Sequence, residues 1–112
     1  MISGRTAEHY IWGSGCDGWH LVKSETLSVI EEAMPPGASE ARHSHANSRQ
    51  FFFVLTGSLT IEMEGHVEEL RAHEGLEIAP GLRHRVFNNS KASVRFVVTS
   101  APPSHGDRIL AE

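Results

Sequence analysis

The chain has 112 residues, a single cysteine and a net charge of −4. That length suits one domain with one core, and a lone cysteine excludes an intrachain disulfide and suits a reducing compartment. No Lys/Arg cluster forms a nucleic-acid footprint and no apolar run approaches a membrane span, so the expectation is a cytoplasmic protein without nucleic-acid or membrane partners.

In chain order, residues 1–19 are rich in glycine and aromatics, including Tyr10, Trp12 and Trp19. They read as an irregular arm with at most one short strand. From His20 to Ser100, short strand-like runs alternate with turn signals. They are His20–Lys23, Leu27–Met34, Ala41–Ala46, Gln50–Thr56, Leu59–Glu64, Val67–Arg71, Leu76–Ile78, His84–Asn88 and Ser93–Ser100. Pro35-Pro36-Gly37 and Pro80-Gly81 punctuate them, and Gly57 and Gly65 mark hairpin loops. Residues 101–112 form a turn-rich tail. No segment has a helical period, so the fold class is all-β, an antiparallel sandwich or barrel.

The faces of the runs also separate. Leu59, Ile61 and Met63 alternate with Thr60, Glu62 and Glu64, as on a half-buried strand. Phe51–Leu55 is apolar on both faces and is expected to be covered on both. A second subunit is one possible cover, so a homodimer is expected. The acids between Glu62 and Glu77 read as a solvated face.

Three histidines carry the chemistry. His43 and His45 are two apart, so a strand projects both imidazoles to one face. His84 opens a later run and Gln50 opens the run after the pair. Imidazole is the commonest metal ligand at neutral pH. Three of them with an amide oxygen would complete a site for one transition-metal ion. The remaining histidines, His9, His20, His66 and His73, read as surface or packing residues. Arg42, Arg83 and Arg85 fall on the opposite face by parity. Cys16 has no activating neighbour.

The segment Gly37-x5-His43-x-His45-x4-Gln50-x6-Gly57 resembles the first motif of the cupin family. Gly75 through Gly81-x2-His84-x3-Asn88 resembles the second. The resemblance implies a double-stranded β-helix, or jelly-roll barrel, over residues 20–100. It implies a mononuclear site of His43, His45, His84 and Gln50 holding one divalent ion, Fe, Mn, Co, Ni, Cu or Zn. Two departures stand out. Gln50 occupies the usual glutamate position, and Ala79 replaces the first proline of the second motif. A neutral amide leaves the ion its full charge, a stronger Lewis acid held less tightly. Gln50 has two open roles, ligand or hydrogen-bond donor to a bound water or substrate.

The barrel interior is expected to take a small organic ligand or substrate against Phe52, Val54, Val86 and Phe96. Dioxygenase-type chemistry, Lewis-acid lyase or isomerase chemistry, and non-catalytic binding or sensing all fit this site. A metal-free barrel with hydrogen-bonded histidines is the remaining alternative. Glu40 and His105 are the candidate bases, His105 through a tail folded across the barrel opening.

Overall fold

A computed structural model describes residues 1–111 of the chain. All regular structure in it is strand. The elements are β1 (Glu8–Trp12), β2 (Cys16–Lys23), β3 (Ser28–Met34), β4 (His43–His45), β5 (Arg49–Thr56), β6 (Ser58–Met63), β7 (His66–Arg71), β8 (Gly75–Ile78), β9 (His84–Phe87), β10 (Val94–Ala101) and β11 (Arg108–Leu110). Among the described residues no helix is long and apolar enough to cross a membrane.

The strands form two antiparallel sheets. One runs β1-β2-β3-β10-β5-β8 and the other β11-β4-β9-β6-β7. Inward positions of the two sheets meet in a core of Met34, Val54, Leu59, Ile61, Val86, Val94 and Phe96, all within 1 % of full burial. This is the antiparallel sandwich that the alternation predicts, in the double-stranded jelly-roll form that the cupin resemblance implies.

One expectation about the edges needs correction. Residues 1–19 are not an irregular arm. They supply β1 and half of β2, a hairpin paired from Glu8↔His20 to Trp12↔Cys16 that extends the larger sheet. The outer face of β5 is open within the chain, the face for which a second subunit is the expected cover. Phe52 and Val54 point inward and are buried, while Phe51 is 44 % exposed and Phe53 and Leu55 are half-buried.

The motif residues flanking the site are structural. Asn88 donates its amide hydrogens to the Met34 and Ala92 carbonyls at 2.9 and 2.8 Å and accepts from the Ser90 amide and hydroxyl. It locks the turn after β9. Gly57 turns β5 into β6 at φ 84°, and a Cβ there would lie 2.7 Å from the Ser93 carbonyl oxygen and 2.9 Å from Val94 Cα. Both obstacles are backbone, so neither can swing aside. Gly57→Ala is expected to cost about 2–4 kcal/mol of stability, from left-handed strain plus overpacking. Chemical denaturation checks it, and an unchanged midpoint would contradict this role.

Candidate metal centre

One sheet supplies all three histidines, from its neighbouring strands β4 and β9. His43 and His45 leave β4 on one face, two residues apart. His84 opens β9 directly across from His43 in the ladder, so the register itself brings these two imidazoles together. Ring centroids lie 4.5 Å apart for His43–His84, 4.8 Å for His43–His45 and 5.8 Å for His45–His84. One nitrogen from each of the three falls within 4.8 Å of the others, and all three residues are buried. Gln50 faces them from β5 in the other sheet, with Ser100 beside it on β10.

Hydrogen bonds fix which nitrogen faces the centre. His43 Nδ1 donates to the Ala41 carbonyl at 2.8 Å, and His84 Nδ1 to the Leu82 carbonyl at 2.9 Å. His45 Nδ1 donates to Asp107 Oδ1 at 2.9 Å. A carbonyl or carboxylate only accepts, so each Nδ1 carries the proton and each Nε2 keeps a lone pair. Outer partners of this kind orient metal-binding imidazoles. Burial also pushes His43 down to about 4, and it lowers His45 and His84. All three rings are therefore neutral at pH 7, the form that binds metal.

His84 Nε2 and Gln50 Oε1 are among the buried side-chain atoms that lack a partner. A desolvated acceptor left unpaired costs about 1–3 kcal/mol. Gln50 lines the same cavity as His43 and His45, and a divalent cation is a species that would satisfy such lone pairs. The donor set therefore fits a divalent ion of the borderline class. Gln50 Nε2 already donates to Ser100 Oγ at 3.1 Å, which leaves the amide oxygen as the free end. A carboxylate at this position would add a charge to the same geometry. Gln50→Glu is expected to tighten divalent-metal binding on the order of tenfold, net of the cost of burying the charge. Calorimetric titration checks it, and unchanged affinity would place Gln50 outside the ligand set.

Beside the histidines is a cavity of 230 Å³. His43, His45, Gln50 and Phe52 line it, and His84 lies behind the other two imidazoles, 1 % exposed. Val54, Val86 and Phe96, expected in the lining, are instead in the core beneath it. Alternation selects their inward face correctly, but they lie further along the strands than the cavity. Ile30, Val98 and Trp12 supply the apolar wall in their place.

The same cavity holds two carboxyl groups, Glu32 from β3 and Glu40 from the segment before β4. Burial raises Glu32 to about 8, with the Glu40 charge adding to the rise. Burial also raises Glu40 to about 7, opposed by a hydrogen bond from the Val86 amide to Oε1 at 3.1 Å. Tyr10 donates its hydroxyl to Glu32 Oε2 at 3.4 Å. Glu40 was a candidate base from the sequence. Glu32 was missed, and its alternation with Glu31 on β3 carries no signal that would single it out.

The tail reaches the site as an edge strand beside β4, and its contact with a histidine of the cluster is through Asp107 rather than His105. β11 pairs antiparallel with β4, placing Arg108 opposite His45 and Leu110 opposite His43. Asp107 accepts from His45 and from the amides of Asn47 and Ser48 at 2.9 and 3.0 Å. His105 is exposed and lines a neighbouring cavity. Of the flanking arginines, Arg83 is exposed and paired with Glu64, while Arg42 and Arg85 are half-buried. Arg85 lies over the Phe87 ring at 4.6 Å. Cys16 is fully buried and burial raises its thiol, which leaves it unreactive.

The profile of the Cupin_2 family, the cupin domain, matches residues 30–100. Among curated proteins, the polyketide synthase CurC of Streptomyces cyaneus is 35 % identical over 69 residues, covering 62 % of this chain and 45 % of its own. The tetracenomycin polyketide synthase protein TcmJ of Streptomyces glaucescens is 33 % identical over 76 residues, covering 68 % and 50 %. The chain spans about half the length of these relatives. Among solved structures, the polyketide cyclase RemF from Streptomyces resistomycificus superposes with a TM-score of 0.86 at 17 % identity, covering 100 % of this chain and 84 % of that one. An RmlC-like cupin from Shewanella frigidimarina gives 0.83 at 19 % identity, covering 93 % and 91 %. Identities this low speak for the fold alone. The profile match covers most of the strands just described, both motifs and all three histidines: the chain belongs to the cupin domain family.

Proposed function

We propose that this protein is a metal-dependent cupin that catalyses proton transfer on a polyketide-type substrate, a small molecule with ketone or phenol oxygens spaced to chelate. One observation carries this reading: a cluster of three buried imidazoles, two of which line the cavity, stands beside two carboxyl groups held up into the neutral range. His43, His45 and His84 would hold the ion through Nε2, and Gln50 Oε1 would supply the fourth position. A divalent ion held there acts as a Lewis acid on substrate oxygen, and the neutral ligand set leaves its charge undiminished.

The chain's own groups supply the rest. Near neutral pH, Glu32 and Glu40 share between them fewer charges than two carboxyls normally carry, so one can give a proton while the other takes one. The ionised carboxyl removes a proton from the carbon beside a carbonyl. The protonated one returns a proton to carbon or to carbonyl oxygen. Tyr10 fixes the orientation of Glu32. Phe52, Ile30, Val98 and Trp12 give the substrate's carbon skeleton an apolar wall and keep water sparse. The polyketide functions in the names of CurC and TcmJ support this substrate class.

The test uses the zinc-loaded protein and an acetoacetyl thioester in D₂O, followed by proton NMR. Catalysed exchange of the methylene protons is expected, and Glu32→Gln should slow it about a hundredfold or more. Exchange no faster than in buffer would contradict the proposal. So would oxygen uptake as the sole reaction of the iron-loaded protein, which is the outcome a dioxygenase predicts.

A further inference from the structure

A second, larger cavity of 460 Å³ adjoins the first. Its wall includes Glu8, His20, Lys23, Ser28 and His105. Tyr10, Ile30 and Ser104 line both cavities, so the two share a side. The magnitudes matter here. Ligand sites span about 300–1,000 Å³. The histidine cavity alone falls below that range, and the two together fall inside it.

Tyr10 divides the two spaces and is held there by three contacts. It lies opposite Gly18 in the β1–β2 ladder, and a Cβ on Gly18 would fall 2.2 Å from the tyrosine ring. The missing side chain is what lets the ring lie flat on β2. The ring packs against His20 at 5.0 Å, and the hydroxyl reaches back to Glu32 in the histidine cavity. The result is a flat aromatic wall running from one cavity into the next. Past it, His20 Nδ1 is buried and has no partner. The rest of the His20 ring lines the second cavity, where its other nitrogen is the group able to hydrogen-bond a ligand oxygen. Lys23, paired with Glu8 at 3.2 Å, adds polar character to the far end.

We propose that the two cavities are one elongated binding site, in which a flat multi-ring or multi-ketide molecule chelates at the histidines, lies along Tyr10 and Ile30, and hydrogen-bonds His20 through an oxygen at its distal end. This rests on the metal-site reading above and specifies its substrate: longer than one ring, apolar in the middle, oxygenated at both ends. A single-ring chelator would leave the second cavity empty.

Three probes with the same hydroxy-ketone head separate the possibilities by calorimetry on the zinc-loaded full chain. They are maltol with one ring, flavonol with its extra rings, and flavonol bearing a hydroxyl at the far para position of its phenyl ring. Flavonol is expected to bind at least tenfold tighter than maltol, and the para-hydroxyl about three- to tenfold tighter again, one hydrogen bond's worth. His20→Phe keeps a ring against Tyr10 and removes both nitrogens, so it should erase only the para-hydroxyl gain. His105→Trp fills the second cavity from an exposed loop position, and should weaken both flavonols at least tenfold while sparing maltol. Flavonols no tighter than maltol, or His105→Trp weakening all three alike, would overturn the extended site with the metal reading intact. A para-hydroxyl gain that survives His20→Phe would overturn the part assigned to His20. Failure of maltol itself to bind would overturn the metal-site reading and this one with it.

Discussion

His84→Ala abolishes stoichiometric metal binding while leaving the fold in place. His84 is the most deeply buried of the three imidazoles, and its Nε2 has no partner within the protein. Alanine removes one ligand of three histidines and leaves the other two facing a gap. Apo stability responds weakly, because relief of an unpaired buried nitrogen offsets the lost Leu82 hydrogen bond and packing. The two effects separate in one experiment. For wild type, metal at about a thousand times its Kd adds about 4 kcal/mol, or on the order of 15 °C in a domain of this size. For His84→Ala the added metal shifts Tm negligibly. Elemental analysis and melting curves of untagged protein check both halves. Equal metal content in variant and wild type would contradict the site.

The pH dependence of apo stability follows from the same burial. His43 lies at about 4 in the fold against 6.5 ordinarily, and His45 and His84 are also lowered. Between those limits the unfolded chain binds more protons than the folded one, so these groups cost stability as pH falls from about 6.5 toward 4 and nothing above it. Glu32 and Glu40 act in the opposite sense, costing stability as pH rises from 4.5 toward their raised values. The lowered imidazoles also hold off proton competition. Bound metal should persist below pH 6.5, where unperturbed histidines would release it.

Asp107→Asn weakens metal binding more than Asp107→Ala. One carboxylate oxygen accepts from His45 Nδ1, and the other from the amides of Asn47 and Ser48. In asparagine the single oxygen turns to the two backbone donors, where it makes two bonds. Its NH₂ then faces His45 Nδ1, which must accept. That places the ring proton on Nε2 and blocks the metal-facing lone pair. Alanine leaves the tautomer free and removes only orientation and basicity, a loss of about 10–100-fold in affinity. Wild-type affinity in Asp107→Asn would contradict the assignment of Nε2 as the ligand atom.

What was legible in the sequence was whatever obeys a local period. His43 and His45 share a face because strands repeat every two residues, and the two motifs bring in His84 and Gln50. The period also placed Phe52, Val54, Val86 and Phe96 inward. It gave no depth along the barrel, so only Phe52, two residues beyond Gln50, reaches the cavity. Asp107 lies 62 residues from His45 in the chain, and only the β11–β4 pairing joins them. No local pattern encodes that pairing. Tyr10 and Glu32 meet through the same kind of distant register. Gly13, Gly15 and Gly18 made the first hairpin look irregular. Gly18 is a strand residue after all, because the Tyr10 ring occupies the space of its side chain.

The central claim is that one metal ion is held by the Nε2 atoms of His43, His45 and His84. X-ray absorption spectroscopy of the zinc-loaded protein measures this directly. One ion per chain is expected, with three imidazole nitrogens at about 2.0–2.1 Å and oxygen completing the shell. One or no imidazole in that shell, at full loading, would contradict it.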